Sequence, residues 1–220
     1  MASAPPPKDP SAEDDGGTAA PPAWRRVRPW VVFLAITAAG TTADLWTKDH
    51  VFRTLLNTPE AARRVARVRA RMGDAHAARV LIATRVQRPL AAGVKLTLQT
   101  NPGVVFGLDL PGWLVAAASV AAVAMVGWFF LTSAAGALAL HAALGCILGG
   151  ALGNAYDRLI ATVTLPGGAG TIRHQVRDFV NCAAWGYPWV FNVADALLVV
   201  GVGLLVVHCL WDARRRRGDG

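Results

Sequence analysis

The sequence predicts an α-helical polytopic membrane protein with four transmembrane helices and a small extracytoplasmic insertion, β-containing and helical, between helices 1 and 2. Three observations predict it. The 220 residues are 54% hydrophobic with a mean hydropathy of +0.38, above what a soluble domain of this length carries. Four apolar runs recur along the chain, each long enough to cross roughly 30 Å of hydrocarbon at about 1.5 Å per residue. Arginine clusters flank the first run and the last, as cytoplasmic ends of spans require.

Residues 1–23 are rich in Ala, Pro, Gly and acid, with Pro5-Pro6-Pro7 and Glu13-Asp14-Asp15, and bury too little surface to offset chain entropy, so they read as a disordered tail. A membrane domain follows over 24–212. Arg25, Arg26 and Arg28 precede the first span, about 30–48. A basic cluster before an apolar run also describes a cleaved secretory signal, but three further spans follow and the run ends in Asp44 and Lys48 instead of a small-residue cleavage site.

The insertion, about 50–99, carries Arg53, Arg63, Arg64, Arg67, Arg69, Arg71, Arg79, Arg85 and Arg88, against the positive-inside rule. Its helix-prone 60–72 stretch reads two ways: a helix lying on the membrane with arginines toward headgroups, or a solvated helical insertion. Residues 94–98 alternate weakly, as a short strand leading into Asn101 does.

The second span (about 113–131) and third (about 135–154) are joined by Thr132-Ser133-Ala134, which makes them antiparallel neighbours. Trp185, Tyr187 and Trp189 suit the interface before the fourth span, about 189–211. A basic tail, 213–220, contains Arg214 to Arg217. Four crossings place both termini on the cytoplasmic side. The net charge of +8 and pI near 10.4 then reflect topology and anionic lipid, not nucleic acid. Cys146 and Cys209 lie inside apolar runs, where a thiol behaves as a small hydrophobe; no disulfide framework or metal site is expected.

Polar residues collect at the outer face. Asp44 and Lys48, one turn apart, read as a structural ion pair on spacing alone. Asn101-Pro-Gly-Val-Val-Phe-Gly (101–107) reads as a turn. Gly145, Gly149 and Gly153 recur every four residues, a ridge that lets helix backbones approach closely. Asn154 and Asp157 share a face beyond it, with Arg158 beside Asp157 to hold its charge, a trio that reads as a structural polar cap. Asn192 and Asp195 repeat the i, i+3 spacing at the start of the last span.

Asp178, in Val-Arg-Asp-Phe, sits on the preceding outer loop, which must dock against the fourth span for the two carboxylates to meet; mobility of 160–188 would then gate the chemistry. An ionised Asp near hydrocarbon costs roughly 2.5–3.5 kcal/mol, so a pair of them points to pairing, a wet cavity or catalysis. Two close aspartates can share a proton, one polarising a carbonyl while the other takes a proton from water.

These residues resemble the bacterial lipoprotein signal peptidases (signal peptidase II) in four ordered blocks: 44–48, 101–106, 149–158 with 176–179, and 191–195. Gly-Gly-x-x-Gly-Asn-x-x-Asp-Arg and Phe-Asn-x-Ala-Asp in this order are highly specific. The resemblance implies an intramembrane aspartyl endopeptidase, without a cofactor, that cuts prolipoproteins just before the diacylglyceryl-modified cysteine at the outer face of the inner membrane. It places the catalytic pair on Asp178 and Asp195, and substrate-binding or supporting roles on Asp44, Lys48, Asn101, Gly103, Asn154, Arg158 and Asn192. Asp157, Gly149 and Gly153 take structural roles.

The chain departs from the family pattern in its long arginine-rich insertion, in Val104 and Val105 where small alanines are usual, in Arg177 beside Asp178, and in its N-terminal tail. An inward-pointing Arg177 would lower the Asp178 pKa. The competing class is a four-helix transporter or channel relaying protons or cations through aspartates, which predicts polar residues at mid-membrane. A structural assembly partner would leave the carboxylates unused.

Overall fold

The computed structural model describes residues 20–73, 75–103 and 112–218. Most of the expected tail (1–19) and Val104 to Gly107 of the Asn101 motif lie outside the described residues.

Helix α1 (Val27–Leu56) tolerates Pro29 because its first turn needs no amide partner there. It is longer than the expected span: 30 residues reach about 45 Å, well beyond one crossing. Helix α2 (Pro59–Met72) starts where Thr58 Oγ1 accepts from the Ala61 amide and Pro59 fixes the first turn, and it ends at Gly73. Helix α3 (Ala77–Thr84) follows, then strands β1 (Gln87–Ala91) and β2 (Val94–Asn101). Helices α4 (Gly112–Thr132) and α5 (Leu138–Leu159) come next, then strands β3 (Thr162–Thr164), β4 (Thr171–Arg173), β5 (Val176–Asn181) and β6 (Val190–Phe191), and finally helix α6 (Val193–Gly218).

Three of these helices are long and apolar enough to cross a membrane: Val27–Leu56, Leu138–Leu159 and Val193–Arg215. Helix α4 adds a shorter apolar stretch, Ala117–Thr132. Helix α5 packs chiefly against α1 and α6, and α4 leans on α5. Glycines make this closeness possible: a Cβ on Gly149 would stand 3.2 Å from the Thr37 carbonyl oxygen, and one on Gly153 would overlap the Asp44 carboxylate. The carbonyls of Gly145 and Gly149 accept from Thr37 Oγ1 and Thr41 Oγ1, tying α5 to α1.

At the other end, the protruding turns of α1 enter a second core. Val51, Phe52, Leu55 and Leu56 pack with Ala61, Val65, Val80, Leu81, Leu98 and Phe179. Four strands in the order β1-β2-β5-β6, all antiparallel, form one wall of this domain, while β3 and β4 make a separate hairpin.

Four sequence expectations change. Asp178 lies on β5, an inner strand between β2 and β6, where it is the ladder partner of Gln99 and 3% exposed, instead of riding on a loop. The fourth span begins at Val193 because Val190 and Phe191 pair with Asn181 and Val180 before Asn192 opens the helix, and it runs on through Arg214 to Arg217. Helix α2 spends its apolar face, Ala61 and Val65, in the domain core, so that face is not laid on a bilayer. Residues 20–23 are ordered: the Ala23 amide donates to the Ser133 carbonyl and the Ala135 amide to the Pro21 carbonyl.

Candidate active site

Three elements meet at the junction of helices and sheet. Helix α6 opens with a reciprocal cap: the Asn192 amide donates to Asp195 Oδ2 at 3.1 Å, and the Asp195 amide donates to Asn192 Oδ1 at 3.0 Å. The cap satisfies two helix-end amides and fixes both side chains. Asn192 Nδ2 then donates to Asp178 Oδ1 at 2.7 Å across to β5, and to Asn154 Oδ1 at 3.3 Å across to α5. Asn154 Nδ2 donates in turn to Asp195 Oδ1 at 2.9 Å. Asn192 therefore touches both aspartates, while Asn154 holds Asp195 and Asn192.

Beneath them lies a buried ionic chain. Lys48 Nζ donates to Asn154 Oδ1 at 2.9 Å and pairs with Asp44 at 2.7 Å and Asp157 at 3.1 Å; all three charged side chains are fully buried. Asp44 Oδ1 accepts from the Ala194 amide at 2.8 Å, binding α1 to the first turn of α6. Asp157 receives the Arg177 amide, Nε and Nη2 at 2.9, 2.9 and 2.7 Å. Two cations and two carboxylates thus balance out of water, which such groups require.

Two expectations about charge partners are corrected here. Asp157 is held by Lys48 and Arg177, not by Arg158. Arg177 points away from Asp178, since successive strand residues face opposite sides of a sheet, and so it is not the group that sets the Asp178 proton affinity. Burial pushes the Asp178 carboxyl up to about 7, with the charge of Asp195 acting in the same direction and the Asn192 hydrogen bond opposing.

The remaining expected residues fall close by. Arg158 is half-buried on α5, within electrostatic reach of Asp178, Asp195 and Asp157, and its Nε has no hydrogen-bond partner among the described residues. Asn101 stands opposite Val176 and Gln99 opposite Asp178 in the ladder, so both share the sheet face of Asp178. Asn101 Oδ1 accepts from the Gly103 amide at 2.9 Å, and Gly103 has φ +111°, a conformation that favours glycine. Among the described residues no group of three or more His, Cys, Asp or Glu is placed to hold a metal ion. Gln99 and the Ala194 amide were not singled out from the sequence; a strand alternation running through 99–101 is the signal that would have found Gln99.

Residues 36–211 match the family model described as signal peptidase (SPase) II. The chain belongs to the signal peptidase II family. This makes it a protease hydrolase of a membrane-protein family. A lipoprotein signal peptidase of Rhodopirellula baltica is 34% identical over 196 residues, covering 86% of this chain and 76% of its own. One from a Methylobacterium species is 40% identical over 136 residues, covering 59% and 73%. One from Desulfitobacterium hafniense is 37% identical over 124 residues, covering 56% and 72%. Two solved structures described as bacterial membrane enzymes share the fold, each with a TM-score of 0.56: one is 20% identical and covers 82% of this chain and 88% of its own, the other is 18% identical and covers 81% and 92%. In this signal peptidase, the residues joined by the asparagine pair come from blocks far apart in sequence, at 154, 178, 192 and 195.

Proposed function

We propose that this signal peptidase is an aspartyl endopeptidase that hydrolyses prolipoproteins just before the diacylglyceryl-modified cysteine, with Asp178 and Asp195 as its catalytic pair. The observation that carries this reading is the shared clamp: Asn192 donates to Asp178 and, through its backbone, to Asp195. Two carboxylates held this way can divide the work of a proton donor and a proton acceptor between them. Asp178, whose carboxyl is pushed up to about 7, keeps its proton near neutral pH and polarises the scissile carbonyl. Asp195 takes a proton from the attacking water. The tetrahedral intermediate collapses when the departing amine is reprotonated from the pair, which returns to its starting state.

The supporting residues divide by what they touch. Asn154 and Asn192 orient the carboxylates; Asp44 and Lys48 hold α6 and Asn154 in place. Arg158, whose Nε has no hydrogen-bond partner among the described residues, and Asn101 with Gly103, on the same sheet face as Asp178, bind the substrate backbone. Asp157, Gly149 and Gly153 serve packing and charge balance.

The proposed setting is the bacterial inner membrane, crossed four times by α1, α4, α5 and α6, with both termini cytoplasmic and the sheet domain outside. The start of α1, the end of α4 and the start of α5 share one apolar cluster, of Phe33, Phe130 and Leu144, as that topology requires. The lipid chains of the substrate stay between helices, and each buried CH₂ contributes roughly 0.8 kcal/mol that a short peptide motif cannot supply.

Cleavage of a lipid-modified prolipoprotein by the purified chain tests the reading, with Asp178→Asn and Asp195→Asn beside it. Both variants are expected to insert and to lose cleavage; a variant that cuts at the wild-type rate removes its residue from the pair.

A further inference from the structure

The catalytic reading leaves the arginines of the outer domain without a use. Between residues 51 and 101 the chain has ten Lys and Arg against two Asp and Glu, an excess equal to the +8 of the whole protein. The charge of the molecule is thus concentrated in the one soluble domain. Arg67 and Arg71, one turn apart on α2, are exposed and have no ion-pair partner among the described residues. With Arg64 and Arg85 they line a concavity of about 410 Å³ between α2 and the end of α3, with Thr84 at its side. Glu60, the only carboxylate there, is already paired with Arg64.

This basic concavity adjoins the sheet that carries Asp178. Arg85 also lines a neighbouring concavity whose other walls include Gln99, Asn181 and Val190. Gln99 is the ladder partner of Asp178, and Val190 is two residues before Asn192. A surface path therefore runs from the sheet that carries Asp178 to the arginines of α2.

We propose that this arginine-lined groove binds an acidic stretch of the substrate polypeptide on the mature side of the cleaved bond. The proposal rests on the signal-peptidase reading and adds a specificity element to it. The signal segment and the lipid chains stay in the membrane, so the mature polypeptide is the part of the substrate that leaves toward the aqueous domain. A lipid headgroup fits less well: the apolar face of α2 is spent in the domain core, and α2 begins beyond the outermost turn of an α1 that overshoots one crossing by roughly 15 Å. Opposite charge in the groove would raise encounter and binding of such a flank without touching the chemical step.

The test compares two lipid-modified substrates that differ only after the cysteine, one with acidic and one with uncharged residues. The full chain and its Arg67→Gln/Arg71→Gln variant are assayed in proteoliposomes. The wild type is expected to show the lower KM for the acidic substrate, and the variant to raise that KM about threefold to tenfold with kcat unchanged. Constants for the uncharged substrate stay as they were, and about 0.5 M salt erases the wild-type preference. A fluorescent acidic peptide titrated onto the Asp178→Asn chain reads the groove without catalysis, so a failed cleavage reading and a failed groove are told apart. Equal binding of acidic and uncharged peptides, an equal effect of the variant on both substrates, or a preference that follows the anionic lipid content of the vesicle instead of peptide charge would each overturn the proposal.

Discussion

Asn192 donates its side-chain amide to Asp178 at 2.7 Å while its backbone amide donates to Asp195 at 3.1 Å. A single residue thus fixes a strand carboxylate and a helix carboxylate relative to each other. The strand cannot slide, because β5 is laddered on both sides, and the helix cannot turn, because Asp44 grips the Ala194 amide. The geometry proposed for catalysis is consequently built into the packing of α1, α5, α6 and β5 before substrate arrives, which is what preorganisation requires.

Replacing Asn192 separates its two duties. Serine can still cap α6, so Asn192→Ser is expected to unfold within a few degrees of wild type, whereas Asn192→Ala loses the cap at a cost of about 1 kcal/mol. Neither reaches Asp178, and both are expected to lower kcat about a hundredfold. Thermal unfolding in detergent beside saturating-substrate rates checks this. Wild-type kcat in Asn192→Ser would show that the bridge to Asp178 is dispensable.

The Asp178 carboxyl, raised by burial and by Asp195 to about 7, links both stability and activity to pH. Its folded-state value lies above the ordinary carboxylate value, so between about pH 4 and about pH 7 the folded chain binds more protons than the unfolded chain. That contribution to stability is complete below about pH 4 and is lost as pH rises through about 7. The proposed mechanism uses the same proton, so kcat/KM is expected to fall as pH climbs past about 7. In Asp178→Asn the decline in stability over this window should vanish together with activity. A kcat/KM profile that stays level well into the alkaline range would deny Asp178 that proton.

The polar blocks were legible because their spacings are local: Asn192 with Asp195, and Asn154 with Asp157, each announce a shared helix face. Which partner each face meets is a matter of tertiary packing. Val-Arg-Asp-Phe-Val reads poorly as a strand because both of its faces are buried, one against Asp157 and the apolar core and the other against Asn192. Polar residues on both sides hide the period-two pattern on which strand recognition depends. The boundary before α6 is hidden by hydropathy, since Trp189, Val190 and Phe191 are as apolar as the helix that follows; the cap at Asn192 marks it instead. For α2, periodicity reveals an apolar face but not what covers it, and Val65 turns out to meet Leu81 and its neighbours, not lipid.

Arg177 offers a test of the buried ionic chain. Arg177→Leu leaves Asp157 with Lys48 and the backbone amide of residue 177, removes the guanidinium that balances its charge, and is expected to destabilise the protein by about 3 kcal/mol, as removal of one buried partner does. Because Arg177 makes no bond to Asp178, cleavage measured well below the unfolding temperature should survive. The double variant Arg177→Leu/Asp157→Asn should recover part of the loss. An unchanged unfolding temperature in Arg177→Leu would mean that the two guanidinium bonds to Asp157 are energetically idle.

Helix approach and active-site geometry are coupled through Gly150. A Cβ there would overlap the Ala194 carbonyl oxygen and stand 2.9 Å from Leu198 Cγ, so Gly150→Ala must push α6 away from α5. Overpacking of this kind costs about 1–3 kcal/mol. Gly203 has nothing within 4 Å of the same added atom, and Gly203→Ala is expected to be neutral or mildly stabilising, since alanine is about 1 kcal/mol better than glycine in a helix. The displaced residue in Gly150→Ala is Ala194, whose amide is fixed by Asp44 and which immediately precedes Asp195. Gly150→Ala is therefore expected to lose kcat even at temperatures where it remains folded, although Gly150 touches neither carboxylate, while Gly203→Ala keeps wild-type turnover. Comparable kcat in the two variants would uncouple the α5–α6 contact from the position of Asp195.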